Sequence, residues 1–191
     1  PFSVYYSDLA RWHTNITFQL LLVGGIIMTS PINFDDYRLC NPSHFEDLKL
    51  GQKFPIPSRT MTEALFSAFQ LASGDNHPIH YDIEYCKARG HPGLLAHAMQ
   101  VIIQTAPGAG MFPHVVDQSL IAMLEFSGRM LAPVYCGDTV YPMLKIIELK
   151  GQRTTGVVTL ESTIHNQRNV KVFEGTQKFL IRKKLAPGTK S

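Results

Sequence analysis

The chain is poor in cysteine, nearly balanced in charge, and has no apolar run long enough for a membrane helix. Its three cysteines, Cys40, Cys86 and Cys136, form neither an even disulfide framework nor a Cys-x-x-Cys metal pattern. They read as free thiols in a reducing compartment, with the cytoplasm expected and the mitochondrial matrix or peroxisome as alternatives. Eighteen basic and 15 acidic residues leave a net charge of +3. That is too little to argue for nucleic acid, and the basic residues do not cluster with aromatics. The densest basic run, Arg182-Lys183-Lys184, reads as a solvated strand end. Ile16 to Met28 is mostly apolar but spans only 13 residues, short of the about 20 that a membrane helix needs. No Ser or Cys sits in a nucleophile motif, which disfavours covalent catalysis. Gly108-Ala109-Gly110 follows a helical pattern and lacks the spacing of a dinucleotide fingerprint. No His/Asp/Glu set has convincing metal spacing, so no metal and no cofactor are expected.

What is present is a globular composition, 45% hydrophobic and 17% charged over 191 residues, enough for one domain with a sizeable core. The expected organisation is an N-terminal extension over 1–30 without an assigned role, a single domain over 31–185 and a tail over 186–191. A lone Arg11 is slight support for a signal or transit segment in the extension. Met28 is a candidate natural start, because the recognisable pattern begins soon after it.

Residues 31–50 carry the breakers Pro31, Asn33, Asn41 and Pro42 and read as irregular. A strand is expected from Gly51 towards Arg59. Thr60 or Thr62 can cap a helix that carries Leu65, Phe66, Phe69 and Leu71 as a buried stripe. Ser73-Gly74-Asp75-Asn76 ends it. Asp82 opens a short helix that ends near Gly90, with Asp82 read as its cap. A more apolar helix runs from about 95 to 105, with Met99, Val101, Ile102 and Ile103 over much of its surface, and reads as buried. Four strands follow, at 120–131, 139–149, 154–165 and 170–181. Helices followed by antiparallel strands make the class α+β, with a sheet wrapped around the long apolar helix.

The segment with chemical promise is Gly74-Asp75-Asn76-His77-Pro78-Ile79-His80-Tyr81-Asp82. Asp75 and His80, five positions apart, would diverge on a helix but can converge across a turn stiffened by Pro78. A carboxylate can accept a proton from a water that a near-neutral histidine holds and relays. Taken alone, the spacing favours the plainer reading of a capped loop with a packed histidine.

The wider pattern reverses that preference. The segment resembles the signature of MaoC-like dehydratases and (R)-specific enoyl-CoA hydratases, Gly-Asp-x-Asn-Pro-[Ile/Leu]-His-x-Asp, with Asp75, Pro78, Ile79, His80 and Asp82 on it. The resemblance continues at His97-Ala98-Met99, similar to the family's His-Gly-Met, at Leu124-Glu125-Phe126, and from Pro133-Val134 through Gly137-Asp138-Thr139-Val140. It covers roughly residues 45–183.

The resemblance implies a hotdog fold, a homodimer, and reversible hydration of a trans-2-enoyl thioester of coenzyme A or an acyl carrier to the (R)-3-hydroxyacyl thioester. It places the water-activating pair on Asp75 and His80 and the oxyanion donor on the backbone N–H of Ala98. Asn76, His77 and His97 are candidates for supporting the site. Two departures bear on substrate preference: His77 stands where the family has Asn, and Ala98 where it has Gly. His91 and His97 otherwise read as structural. A hotdog thioesterase and a non-catalytic acyl-thioester-binding subunit are the alternatives, and the intact Asp75/His80 pair argues against both. No nucleic-acid or membrane partner is expected.

Overall fold

The computed structural model describes residues 32–184, so the expected extension over 1–30 and the tail over 186–191 lie outside the described residues. The chain divides into a short unit ending at Tyr37 and a second unit starting at Arg38. Of the first, only a turn of 3-10 helix at Phe34–Tyr37 is described. Among the described residues, no helix is long and apolar enough to cross a membrane.

The second unit is built on one antiparallel sheet. Its strands are β1 (Lys53–Pro55), β2 (Arg59–Thr60), β3 (Leu120–Met130), β4 (Thr139–Gly151), β5 (Thr155–Asn166) and β6 (Lys171–Arg182). The order is β1-β4-β5-β6-β3, with β2 also on β4. Along β4, Val140, Leu144 and Ile146 are buried while Tyr141 faces out, the period of two of a strand with one covered face. The expected single strand from Gly51 to Arg59 is two short pieces. Ile56 still donates its N–H to Pro142 O, but Pro55 and Pro57 have no N–H to give a ladder, and regular pairing resumes only at Arg59.

The helices are α1 (Glu63–Ser73), α2 (Ile83–Ala88), α3 (Ala98–Ile102) and α4 (Phe112–Val115). Thr62 caps α1 by accepting from the Leu65 N–H. Of the stripe expected on α1, only Phe66 is fully buried, and Leu71 is 87% exposed. The stripe is therefore narrower than expected.

The central helix corrects the sequence reading at its start. Residues 95–97 are not helical, because Leu95 and Ala96 already pair elsewhere and His97 is the extended cap of the helix. Leu95 bridges Tyr135, the Ala96 N–H donates to Val134 O, and the Cys136 N–H donates to Leu94 O. Helix α3 begins only at Ala98 and tightens into a 3-10 turn at Ile103–Thr105. One side meets the sheet: Val101 packs with Val140, Ile164 and Phe173. The other side carries Met99 and Ile103, exposed by 59% and 49%. A sheet curled over a central helix is the hotdog arrangement expected from the sequence.

Candidate active site

Helix α1 ends at Gly74, whose φ of 71° is the left-handed conformation that closes many helices. The loop that follows is held by its own side chains. The Asp75 N–H donates to Ser73 Oγ, the His77 N–H to Asp75 Oδ1 and the Ile79 N–H to His77 Nδ1. Pro78 opens a 3-10 turn, Pro78–His80, and that turn swings His80 back towards Asp75. Asp82 then caps α2, accepting from the Glu84 and Tyr85 N–H groups, as its sequence position suggested.

Asp75 and His80 do meet. Asp75 Oδ2 lies 4.0 Å from His80 Nε2, with the carboxylate side chain 51% exposed and the imidazole 12% exposed. His80 Nδ1 is 2.6 Å from the Leu95 carbonyl oxygen. A carbonyl only accepts, so Nδ1 carries the proton, and in the neutral ring Nε2 is a bare acceptor. Two acceptors therefore face each other across a gap. A water about 2.8 Å from each would see them at about 90°, close to its own preferred angle, and would donate one O–H to each.

Burial is the main reason that His80 holds a proton less readily than an ordinary histidine. His97 and His77 act in the same direction, while the Leu95 hydrogen bond and the Asp75 carboxylate oppose it. The folded site thus favours neutral His80 below the usual value of 6.5. If neutral His80 is required, the acid limb of kcat/KM lies below 6.5, because protonation of Nε2 removes an acceptor from the water. A pH–rate profile with its acid limb above that value would contradict this. The sign for stability is the same: the unfolded chain takes up this proton first as pH falls, so acid weakens the fold.

His97 is more central than its sequence position suggested. It is 2% exposed and stacks on His80 with ring centroids 3.7 Å apart and planes 20° from parallel. Its Nε2 lies 3.1 Å from the Asp75 backbone oxygen, and Phe69 packs against its ring at 4.9 Å. Asn76 turns away from the pair, and its Oδ1 accepts from Gln70 Nε2. The ring of His77 sits edge-on between His80 and Tyr85. Ala98 is the first residue of α3, with His97 at the cap, so the Ala98 N–H belongs to the turn whose donors have no partner within the helix. The His91 ring lies away from the pair, with its Nδ1 3.2 Å from the Tyr135 hydroxyl.

Asp75, His80 and His97 have the composition of a metal site, with one ligand atom each within 4.8 Å of the others. The donor set does not fit one well. Both ring nitrogens of His97 have neighbours, Nε2 at Asp75 O and Nδ1 at Gln100 Oε1. The lone pairs of rings stacked this nearly parallel cannot converge on one ion.

Sequence reasoning missed three contributors: the Leu95 carbonyl, Phe69 and Gln100. Only Gln100 carried a signal, as a polar residue inside an apolar helical run.

Residues 47–167 match the family described as MaoC like domain. No curated protein sequence matches the chain. Among solved structures, the monoamine oxidase regulatory protein of Archaeoglobus fulgidus is 29% identical, with a TM-score of 0.67 over 76% of this chain and 98% of that one. The unliganded (R)-hydratase of Pseudomonas aeruginosa shares the fold at 20% identity, with a TM-score of 0.60 over 78% of this chain and 94% of that one. A Mycobacterium tuberculosis protein described as a double hotdog fold is 25% identical, with a TM-score of 0.63 over 78% of this chain and 46% of that one. With a family match over most of its length and the hotdog sheet around α3, the chain belongs to the MaoC-like domain family.

Proposed function

We propose that the chain is a hydro-lyase that reversibly adds water to trans-2-enoyl thioesters of coenzyme A or an acyl carrier, giving (R)-3-hydroxyacyl thioesters. The observation that carries this reading is the pair of bare acceptors, the Asp75 carboxylate and His80 Nε2, 4.0 Å apart. Asp75 takes one proton from the water while its oxygen bonds to C3 of the enoyl group. The C2–C3 double-bond electrons move into the thioester as an enolate, and the Ala98 N–H stabilises the developing oxyanion at the start of α3. The abstracted proton returns to C2 on the same face, with His80 as relay. Atoms and charge balance with no cofactor, because the thioester is the substrate. Cys40, Cys86 and Cys136 are free thiols, which fits the cytoplasm as the compartment.

The test is a screen of enoyl-CoA substrates of increasing chain length, following both loss of the double bond and release of free thiol. Hydration without thiol release is expected. Thiol release with the double bond intact would make the chain a thioesterase instead.

The same reading includes a homodimer. Among the described residues, strand β3 pairs with β6 alone, and the strand carries Leu120, Ile121, Met123, Leu124 and Phe126, exposed by 37–52%. Met99 and Ile103 add to the exposed apolar surface of the unit. Long apolar edges invite a partner strand. Sedimentation at micromolar concentration should show twice the 21.4 kDa chain mass. A monomer alone would count against the dimer.

A further inference from the structure

His97 and Gln100 meet with mismatched hydrogen-bonding roles. His97 Nε2 bonds the Asp75 carbonyl oxygen, which can only accept, so Nε2 carries a proton and Nδ1 of the neutral ring is a bare acceptor. Gln100 Oε1 lies 3.3 Å from that Nδ1, acceptor against acceptor. Nε2 of the same amide, on a side chain 1% exposed, has no partner. A half-turn of the amide exchanges oxygen and nitrogen without changing its shape. It replaces a repulsive pair by a hydrogen bond and leaves one unpartnered acceptor where two unused N–H donors stood. The other resolution protonates both nitrogens of His97. That would put a positive charge on a ring 2% exposed and stacked on His80, and would leave both Gln100 N–H donors unused.

We propose that Gln100 is a positioning residue. Its amide N–H donates to His97 Nδ1 and fixes His97 as the Nε2–H tautomer. His97 in turn holds the Asp75 backbone and the face on which His80 stacks. Gln100 touches neither the substrate nor the water, and its effect passes through His97. The polar side chain is buried, and it belongs to a helix whose next residue, Val101, packs in the core.

The kinetic half of this inference rests on the hydratase reading, whereas the tautomer does not. The direct test is long-range proton–nitrogen NMR of the full chain labelled with 15N-histidine, with His97 assigned by its loss in His97→Asn. At neutral pH, His97 should show a protonated Nε2 and a bare Nδ1. In Gln100→Glu the new carboxylate accepts from Nδ1, so both nitrogens should be protonated. Gln100→Leu should lower kcat about 10-fold with KM within about 2-fold, the pattern of a loosened catalytic geometry. A wild-type His97 with both nitrogens protonated, or with Nδ1–H alone, would overturn the assignment even if no variant folds. A correct tautomer with unchanged kcat in folded Gln100→Leu would remove the positioning role. A wild-type chain that hydrates no enoyl thioester would sink the hydratase reading, and the NMR result would still decide the Gln100–His97 bond.

Discussion

Asp75→Asn is expected to lower enoyl hydration by about 100-fold or more, the scale on which general acid–base groups act. The change keeps the size and the N–H acceptor of the side chain but removes the group that takes the proton from water. Because the carboxylate is half-exposed and the bond its Oδ1 accepts from the His77 N–H can equally be accepted by an amide oxygen, the loop should survive the change. His80→Ala should cost a similar factor, since it removes the second acceptor 4.0 Å away. The double variant should be little worse than the worse single variant, because both groups act on one water. Substrate affinity should change far less, as neither side chain is needed to grip the carrier. Asp82→Asn is the internal control: it alters the cap of α2 and should affect stability more than turnover. Near-wild-type hydration by a folded Asp75→Asn protein would show that the base lies elsewhere.

Gly175→Val is expected to be the most damaging single change to the fold. Gly128 and Gly175 face each other where β3 pairs with β6. A Cβ at residue 175 would overlap Ser127 O and come 2.9 Å from Gly128 Cα. Both are backbone atoms, so no rotamer change can relieve the contact, and the strands must separate. The ring of the fully buried Phe173 also fills the space over Gly128. Overpacking of this kind should cost about 3 kcal/mol and lower Tm by roughly 6–12 °C. Loss of β3 would also remove the edge offered to a second copy, so the variant should sediment as a smaller species. A thermal melt within about 2 °C of wild type, with unchanged sedimentation, would mean that β3 does not pair with β6 in this register.

The strands were legible because Val, Ile and Phe alternate with polar residues along 139–181, a local pattern set by which face is buried. The start of α3 was not legible, because residues 94–96 are drawn into extended pairing with 134–136, about 40 positions away, which leaves His97 as the cap. Met99 and Ile103 looked like core residues because an apolar helix reads as buried. They face outward instead, and a second copy could cover them. At the site, Asp75 and His80 could be found because one short loop carries both and Pro78 fixes its turn. The loop says nothing about what lies beneath it. His97, 22 positions on, and Gln100 reach the pair only through the fold. His77 has a local role of its own, since its ring caps the turn of Pro78–His80 through Ile79 N.

The central claim is that one water, held between Asp75 and His80, supplies both the hydroxyl at C3 and the proton at C2 on the same face. Hydration of a trans-2-enoyl-CoA in D2O by the purified chain tests it most directly. The account predicts an (R)-3-hydroxyacyl-CoA with one deuterium at C2, on the same side as the hydroxyl. An (S) product, deuterium on the opposite face, or no hydration of any chain length would contradict it.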